Sequence, residues 1–393
     1  MSIFSFRDIV IDSRTGLNPR KNFKLGQGKN YYITIKDIHD GRIIITDKTD
    51  RIDDEAISKI KKRSRIKNGD ILFTSIGRIG ETAIVNDKND TWEVNESIFI
   101  FTINTDIIDT NYFCILLQSK SLKDRLSKDS SGSTFKSIKM NQLEKLTFDI
   151  PNLYKQKQIV VNIKIVSKVI NLCNTILNKL DTLVKSRFVE MFGDPILNPK
   201  GWEMTTIGEI VTEVKYGTSR PAIDGGKYAY LRMNNLTYDG YLDLADLKRI
   251  DIPDSEIEKC IVRKGDVLFN RTNSIELVGK TCVFDKDEDM IIAGYIIRVR
   301  LKPVMLPLIM SYFMNTDALK KKLRSMAKGA VNQANINAQE LKAIKIYLPP
   351  TDLQQQFADF VAQTDKSKYC LVGEQILGKA EMLIELLNQE YFG

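Results

Sequence analysis

The stretch "FGDPILNPKGWEMTTIGEIV", residues 192–211, sits at the middle of the 393-residue chain and decides how the whole is read. Gly193 and Asp194-Pro195 stop a helix, because glycine suits the position past a helix end and proline cannot continue one. From about Trp202 the chain then starts again. Ile210 and Gly217 repeat Ile9 and Gly16. "KGDVLF" (264–269) repeats "NGDILF" (68–73), and "GKTCVF" (279–284) repeats "GETAIV" (80–85). "INAQELKAIKIYLP" (336–349) lies against "IKMNQLEKLTFDIP" (138–151). "LPPTDLQQQFA" (348–358) lies against "IPNLYKQKQIV" (150–160), with Pro349, Gln354 and Gln356 matching Pro151, Gln156 and Gln158. "QEYFG" (389–393) closes the series against "VEMFG" (189–193). The matches fall in one order, with offsets between 196 and 201, so the chain is a tandem repeat.

Each copy reads as two parts. The first holds short runs rich in β-branched and aromatic residues, such as "DILFTSI", "SIFIFTI" and "YIIRVRL", bounded by Gly, Asn and Asp. Short helical stretches intervene, and the pattern is that of an α+β (mixed α/β) globule whose imperfect alternation leaves strand order open. The second part is helical. From Ile159, apolar residues recur in a four-three rhythm through Ile163, Val166, Ile170, Cys173, Leu177, Leu180 and Val184. A further stripe (Val169, Leu172, Ile176, Leu183) widens the apolar face beyond one partner helix. The other copy carries Gly373 and Gly378, each costing roughly 1 kcal/mol in a helix interior.

The expected division is a globule at 1–150, a helix at 151–193, a second globule at 194–348 and a second helix at 349–393. A helix of about 34 residues is near 50 Å long. The simplest pairing is an antiparallel coiled coil within the chain, separating the two globules. A rod that merely joins domains, or a homodimer through the helices, are the alternatives.

Composition limits the class. A hydrophobic content of 43% and a charged content of 27% fit a water-soluble globular chain. No run of 18 apolar residues suggests a membrane span, and "MSIFSFRDIV" has Arg7 and Asp8 where a signal peptide would be apolar. The five scattered cysteines form no CxxC, so disulfides and zinc are not expected and a cytoplasmic location is. The net charge of +8 favours a polyanionic partner.

Catalytic motifs are missing. The chain has one histidine, His39, in "DIHDGR", which argues against Ser-His-Asp triads, HExxH and most metal sites. "VGKT" (278–281) has Ser274 where a P-loop needs glycine, and "LGQGKNY" (25–31) has Tyr31 where a dinucleotide fingerprint needs its third glycine. Asn-Pro-Pro-Tyr is absent, and Pro253-Asp254 lacks a following Glu-x-Lys. A stand-alone nuclease or methyltransferase is therefore not supported.

The loops instead carry side chains suited to reading DNA. In the second copy these are Tyr216, Thr218, Ser219 and Arg220; Arg232, Asn234 and Asn235; Asn270, Arg271 and Asn273; and Lys328, Asn332 and Gln333. The matching places in the first copy hold Arg14 and Thr15; Lys36; Ser75 and Arg78; and Ser133, Thr134 and Lys136. Arginine suits guanine edges, Asn and Gln suit adenine, and Lys, Ser and Thr suit phosphate. The same residue types also simply make turns. The frame is shared between copies while the loops differ, so two heads reading different short sequences are expected.

These residues resemble the specificity subunit of Type I restriction-modification systems. "FGDPILNPKGWEMTTIGEIV" resembles the segment joining the first conserved helix to the second target recognition domain. "LPPTDLQQQFADFV", "RKGDVLFNRT", "SMAKGAVNQANIN" and "LKAIKIYLP" are similar to other parts of that family. The resemblance covers nearly the whole chain. It departs at "IPNLYKQKQ", which lacks the second proline, and at the chain start, which has no counterpart of Trp202. It implies two target recognition domains, each reading half of a bipartite site on double-stranded DNA, with the helices setting the gap. It implies two docked methyltransferase subunits that methylate adenine with S-adenosylmethionine. Two restriction subunits, using ATP and magnesium, are an optional addition. No catalysis and no cofactor would then belong to this polypeptide. The competing reading is a stand-alone DNA-binding regulator.

Overall fold

A computed structural model describes residues 2–39, 41–128, 137–330, 333–371 and 376–392. The chain forms two compact units. Unit 1 comprises Met1–Cys173 and Val372–Gly393, and unit 2 comprises Asn174–Leu371. The sequence repeat pairs each globule with the helix that follows it, whereas each compact unit takes part of both helical regions.

In unit 1 a four-stranded antiparallel sheet runs in the order Val10–Thr15, Ile98–Ile103, Ile71–Thr74, Thr82–Ile84. Its central strands are covered on both faces, which explains the blurred alternation. Ile71, Phe73, Phe99 and Phe101 point into one core with Phe113 and Phe148. Leu72, Ile98 and Ile100 point into a second core with Ile33, Trp92 and Val94. Successive side chains on a strand face opposite ways, so a strand buried on both sides reads as nearly continuous apolar sequence. A small sheet of Asp50–Ile52, Asn30–Ile33 and Trp92–Val94 includes a parallel pair.

Unit 2 builds the same plan. Its main sheet is ordered Val211–Tyr216, Ile296–Leu301, Val267–Asn270, Thr281–Val283. Val267, Phe269, Ile297 and Val299 face one core, and Leu268 and Ile296 the other. Gly16 and Gly217 hold equivalent places for one reason. A Cβ would lie 1.8 Å from the Val94 carbonyl oxygen at the first and 2.1 Å from that of Ile292 at the second, so only glycine allows the backbones to approach.

The helix Leu153–Phe192 has 40 residues, about 60 Å at 1.5 Å per residue. In unit 1 its Ile159, Val160 and Ile163 enter the core, against which Ile384, Leu387 and Tyr391 also pack. In unit 2 its Phe188 and Phe192 interlock with Phe357, with ring centroids 5.4 and 5.6 Å from Phe357. Farther along, Asp181 pairs with Lys368 at 2.6 Å. As one number falls the other rises, so the pairing with the helix Thr351–Leu371 is antiparallel. Within the region expected as one helix over 349–393, the described helices are Thr351–Leu371 and Leu377–Phe392, and Gly373 lies outside the described residues. Gly378 falls in the first turn of the second, where the cost of an interior glycine does not apply in full. Against the expectation of no membrane-length segment, Leu153–Phe192 is long and apolar enough to cross a membrane by length and composition. Its apolar side chains are spread over two faces rather than gathered in a run, which hides them from a search for consecutive apolar residues.

Matching glutamines fix each helix start. Gln156 is fully buried; its Oε1 accepts from the Asp109 amide at 2.7 Å, and its Nε2 donates to the carbonyls of Ile107 (3.0 Å) and Pro151 (2.8 Å). Gln354, also fully buried, accepts from the Leu306 amide at 2.8 Å and donates to Val304 (3.0 Å) and Pro349 (2.8 Å). The duplication thus preserves a three-bond clip, not only a pair of letters.

Candidate nucleic-acid interface

Unit 2 opens a cleft of about 720 Å³. Its walls come from the end of strand Val211–Tyr216, the loop after it, the residues after strand Tyr228–Leu231, the helix Asp254–Cys260 and the turn 293–295. Seven of the residues singled out in the sequence meet here: Tyr216, Thr218, Ser219, Arg220, Arg232, Asn234 and Arg271. Each arginine is held differently. The Arg220 Nε and Nη2 bond the two oxygens of Glu256 at 3.2 and 2.6 Å. The Arg232 Nη2 bonds Asp246 Oδ2 at 2.7 Å. The Arg271 guanidinium lies 4.9 Å from the centroid of the Tyr216 ring, a cation–π arrangement, and the Tyr216 hydroxyl accepts from the Ala338 amide at 2.8 Å. Planar donor forks beside aromatic faces in a basic cleft match the edges and π-faces of bases.

Other expected contacts belong to the frame. Asn235 is buried; it accepts from the Arg232 amide at 2.8 Å and donates to the Asp243 carbonyl at 2.8 Å. Asn270 is fully buried and donates to the carbonyls of Thr272 and Tyr295. Asn273 donates to Asn270 Oδ1 at 2.8 Å. Thr218 is buried within the cleft wall, and its hydroxyl accepts from the Arg220 amide at 3.2 Å. Gln333 is exposed on a small sheet of Thr272–Asn273, Gln333–Asn335 and Lys328–Ala330, which also holds Lys328. Asn332 lies outside the described residues.

In unit 1 Arg14 is a buried strut rather than a reading residue. Its Nη2 pairs with Asp70 at 2.9 Å and its Nη1 donates to the Arg65 carbonyl at 2.7 Å. A guanidinium in that setting is retained by charge-assisted bonds and is not free to leave. Ser75 is likewise buried, donating to the Ser97 carbonyl at 2.8 Å. The Thr15 hydroxyl accepts from Arg63 at 3.0 Å. Lys36 and Arg78 are exposed and lie together. The Arg78 Nη1 bonds His39 Nδ1 at 2.9 Å, and the His39 Nε2 bonds the Lys36 carbonyl. Because a guanidinium can only donate, Nδ1 is the acceptor from Arg78 and Nε2 is the nitrogen that faces the carbonyl. The single histidine therefore braces a loop. Ser133, Thr134 and Lys136 lie outside the described residues.

Glu256, Lys259 and Tyr295 also line the cleft and Asp246 braces Arg232, none of them among the expected residues; the segment "PDSEIEKC" (253–260) carries a helix signal, proline followed by acidic residues. Among the described residues, no cluster of three His, Cys, Asp or Glu side chains has the arrangement of a metal site.

Two lobes of one topology, each a doubly covered sheet with part of the helix Leu153–Phe192 packed into its core, define a duplicated α/β class, one copy of which presents a basic, aromatic-walled cleft. The match to known families says which: the Type I restriction modification DNA specificity domain matches residues 3–184 and again 199–377, and the chain belongs to that family. A putative type I restriction enzyme MjaX specificity subunit of Methanocaldococcus jannaschii is 28% identical over 199 residues, covering 49% of this chain and 44% of the relative. The type I restriction enzyme EcoKI specificity subunit of Escherichia coli K12 is 22% identical over 274 residues, covering 65% and 59%. The chain spans about half the length of the curated relatives it matches. Among solved structures, one from a study of complex assembly and conformational transition of the type I R-M system aligns over 100% of this chain and 97% of that one, with a TM-score of 0.61 and 17% identity. The S subunit of a Type-I restriction-modification system from M. genitalium aligns over 100% and 96%, with a TM-score of 0.54 and 13% identity. Both share the fold.

Proposed function

We propose that this chain is the non-catalytic DNA sequence-recognition subunit of a Type I restriction-modification complex. Each unit reads one half of a bipartite site on double-stranded DNA, and the helices set the gap between halves. The observation that carries the reading is one topology built twice with unlike rims: Arg220, Arg232 and Arg271 around the unit 2 cleft, against Lys36, His39 and Arg78 in unit 1. Different donors on a common frame read different bases. S-adenosylmethionine, ATP and magnesium are then requirements of partner subunits. The complex works in the cytoplasm, where its DNA is.

The long helix supports partner docking. In unit 1 Tyr154, Val161, Ile165 and Leu172 are 72%, 54%, 57% and 57% exposed. Their spacing of seven, four and seven residues sets them in one row, and at 3.6 residues per turn that row lies opposite the buried Ile159, Ile163 and Val166. A helix apolar on both faces has a use for the second one. A stand-alone regulator has none, which favours methyltransferase subunits seated there.

The test is a double substitution, Ile165→Glu with Leu172→Glu. Because both side chains are exposed, folding is expected to be retained, with a circular dichroism spectrum and melting temperature like those of the parent. Copurification of a methyltransferase with the tagged chain is expected to be lost. Undiminished copurification would remove the helix face from the account.

A further inference from the structure

We propose that Glu256 sets the base preference of unit 2 by holding Arg220 in a single presentation, so that the arginine reads a base instead of gripping phosphate. The inference rests on the reading of unit 2 as a DNA-recognition unit. Among the described residues lining the cleft, Glu256 is the one carboxylate, and three arginines and a lysine share the walls with it. It takes the Nε–Nη2 edge of Arg220 with both oxygens, at 3.2 and 2.6 Å. A guanidinium has five N–H donors in a fixed fork. With one edge occupied, the edge left to the cleft is Nη1–Nη2, whose parallel N–H bonds fit the O6 and N7 acceptors of guanine.

The platform under the carboxylate is firm. Glu256 belongs to the short helix Asp254–Cys260, and Cys260 at its end is buried. The fully buried Arg298 donates to the Glu258 carbonyl at 3.3 Å and to the Ile261 carbonyl, and pairs with Glu213 at 2.6 Å. The helix is thereby tied to the main sheet. The Arg220 guanidinium also keeps the Glu256 carboxyl below its ordinary pKa, so it stays charged at neutral pH.

The charge has a second consequence. An unguarded arginine at a cleft rim pairs with any backbone phosphate, which adds affinity without sequence information. A carboxylate beside it repels phosphate and leaves the neutral base edge as the favoured acceptor. Arg271 provides the contrast within the same cleft, since it lies on the Tyr216 ring with no carboxylate partner described.

The experiment is selection from a randomised duplex pool by the full chain, read as base preference at every position. Melting temperature and affinity for an unselected duplex are measured alongside. Glu256→Gln keeps the shape and removes the charge. It is expected to lower discrimination at one base pair of one half-site, by roughly 5- to 150-fold, the worth of one bidentate pair. Affinity for unselected duplex is expected to rise, with a steeper salt dependence. Arg220→Ala is expected to lose the same base pair but to bind unselected duplex more weakly. Glu256→Asp, which keeps the charge on a shorter arm, is expected to restore the low affinity for unselected duplex. A merely structural role for Glu256 would lower preference at all positions of the half-site together, or lower the melting temperature, and either result overturns the inference. So does a Glu256→Gln preference profile identical to the parent's. If the parent chain itself selects no sequence, the proposed function falls first.

Discussion

Replacing Gln354 with leucine is expected to destabilise unit 2 by on the order of 3–5 kcal/mol while leaving unit 1 intact. The substitution strands one backbone amide, at Leu306, and two carbonyls, at Val304 and Pro349, around a position with no solvent exposure. A buried backbone group that loses its partner costs about 1–3 kcal/mol, and three such groups bring the total to the upper end of single-residue effects. The expected fall in the melting temperature of unit 2 is on the order of 10 °C. Gln156→Leu is expected to do the same to unit 1, where the groups left are the Asp109 amide and the Ile107 and Pro151 carbonyls. Hydrogen exchange followed by mass spectrometry separates the cases. In each variant, protection is expected to drop across one unit's sheet and persist in the other's. Uniform loss across both would mean that the units do not fold as separate cores. Near-neutral substitutions would mean that water replaces the clip.

Arg271→Ala is expected to weaken selection at the half-site read by unit 2 and to leave the other half-site's preferences unchanged. The guanidinium is held over the Tyr216 ring and faces the cleft, so little rotamer freedom remains to be lost on binding. One base-edge contact of this kind is worth about 1–3 kcal/mol, or roughly 5- to 150-fold in binding. Tyr216→Phe is the useful companion. It keeps the ring under Arg271 but removes the acceptor for the Ala338 amide, so it tests the loop's anchoring apart from the stacking. Binding measured on duplexes altered in one half at a time decides the matter. Equal losses at both halves would contradict separate reading heads.

The duplication was legible because exact identities, such as Gln156 and Gln354 or Gly16 and Gly217, survive where a buried clip or a close backbone approach admits one residue type. Strand order was not legible, since Phe73 and Leu72 are both fully buried, on opposite faces of one strand. Loop chemistry was legible in part. Arg220 and Arg271 reach the cleft, whereas Asn235, Asn270, Ser75 and Arg14 satisfy backbone or carboxylate partners inside the fold. A polar letter beside a glycine looks the same in either role. What separates them is whether a neighbouring strand brings an unsatisfied carbonyl within reach, and that depends on pairing between distant segments. Glu256 escaped notice for a related reason. In a basic surface an acid reads as dilution, and only its position against Arg220, 36 residues away, reveals a partner.

The most direct test of the central claim, that two unlike readers in one chain choose a site for chemistry performed by others, is a map of methylated adenines in the host genome with the gene intact and with it disrupted. The account predicts a motif of two short specified parts separated by a fixed unspecified gap, present in the first genome and absent from the second. A single uninterrupted motif, or a methylation map unchanged by the disruption, would contradict it.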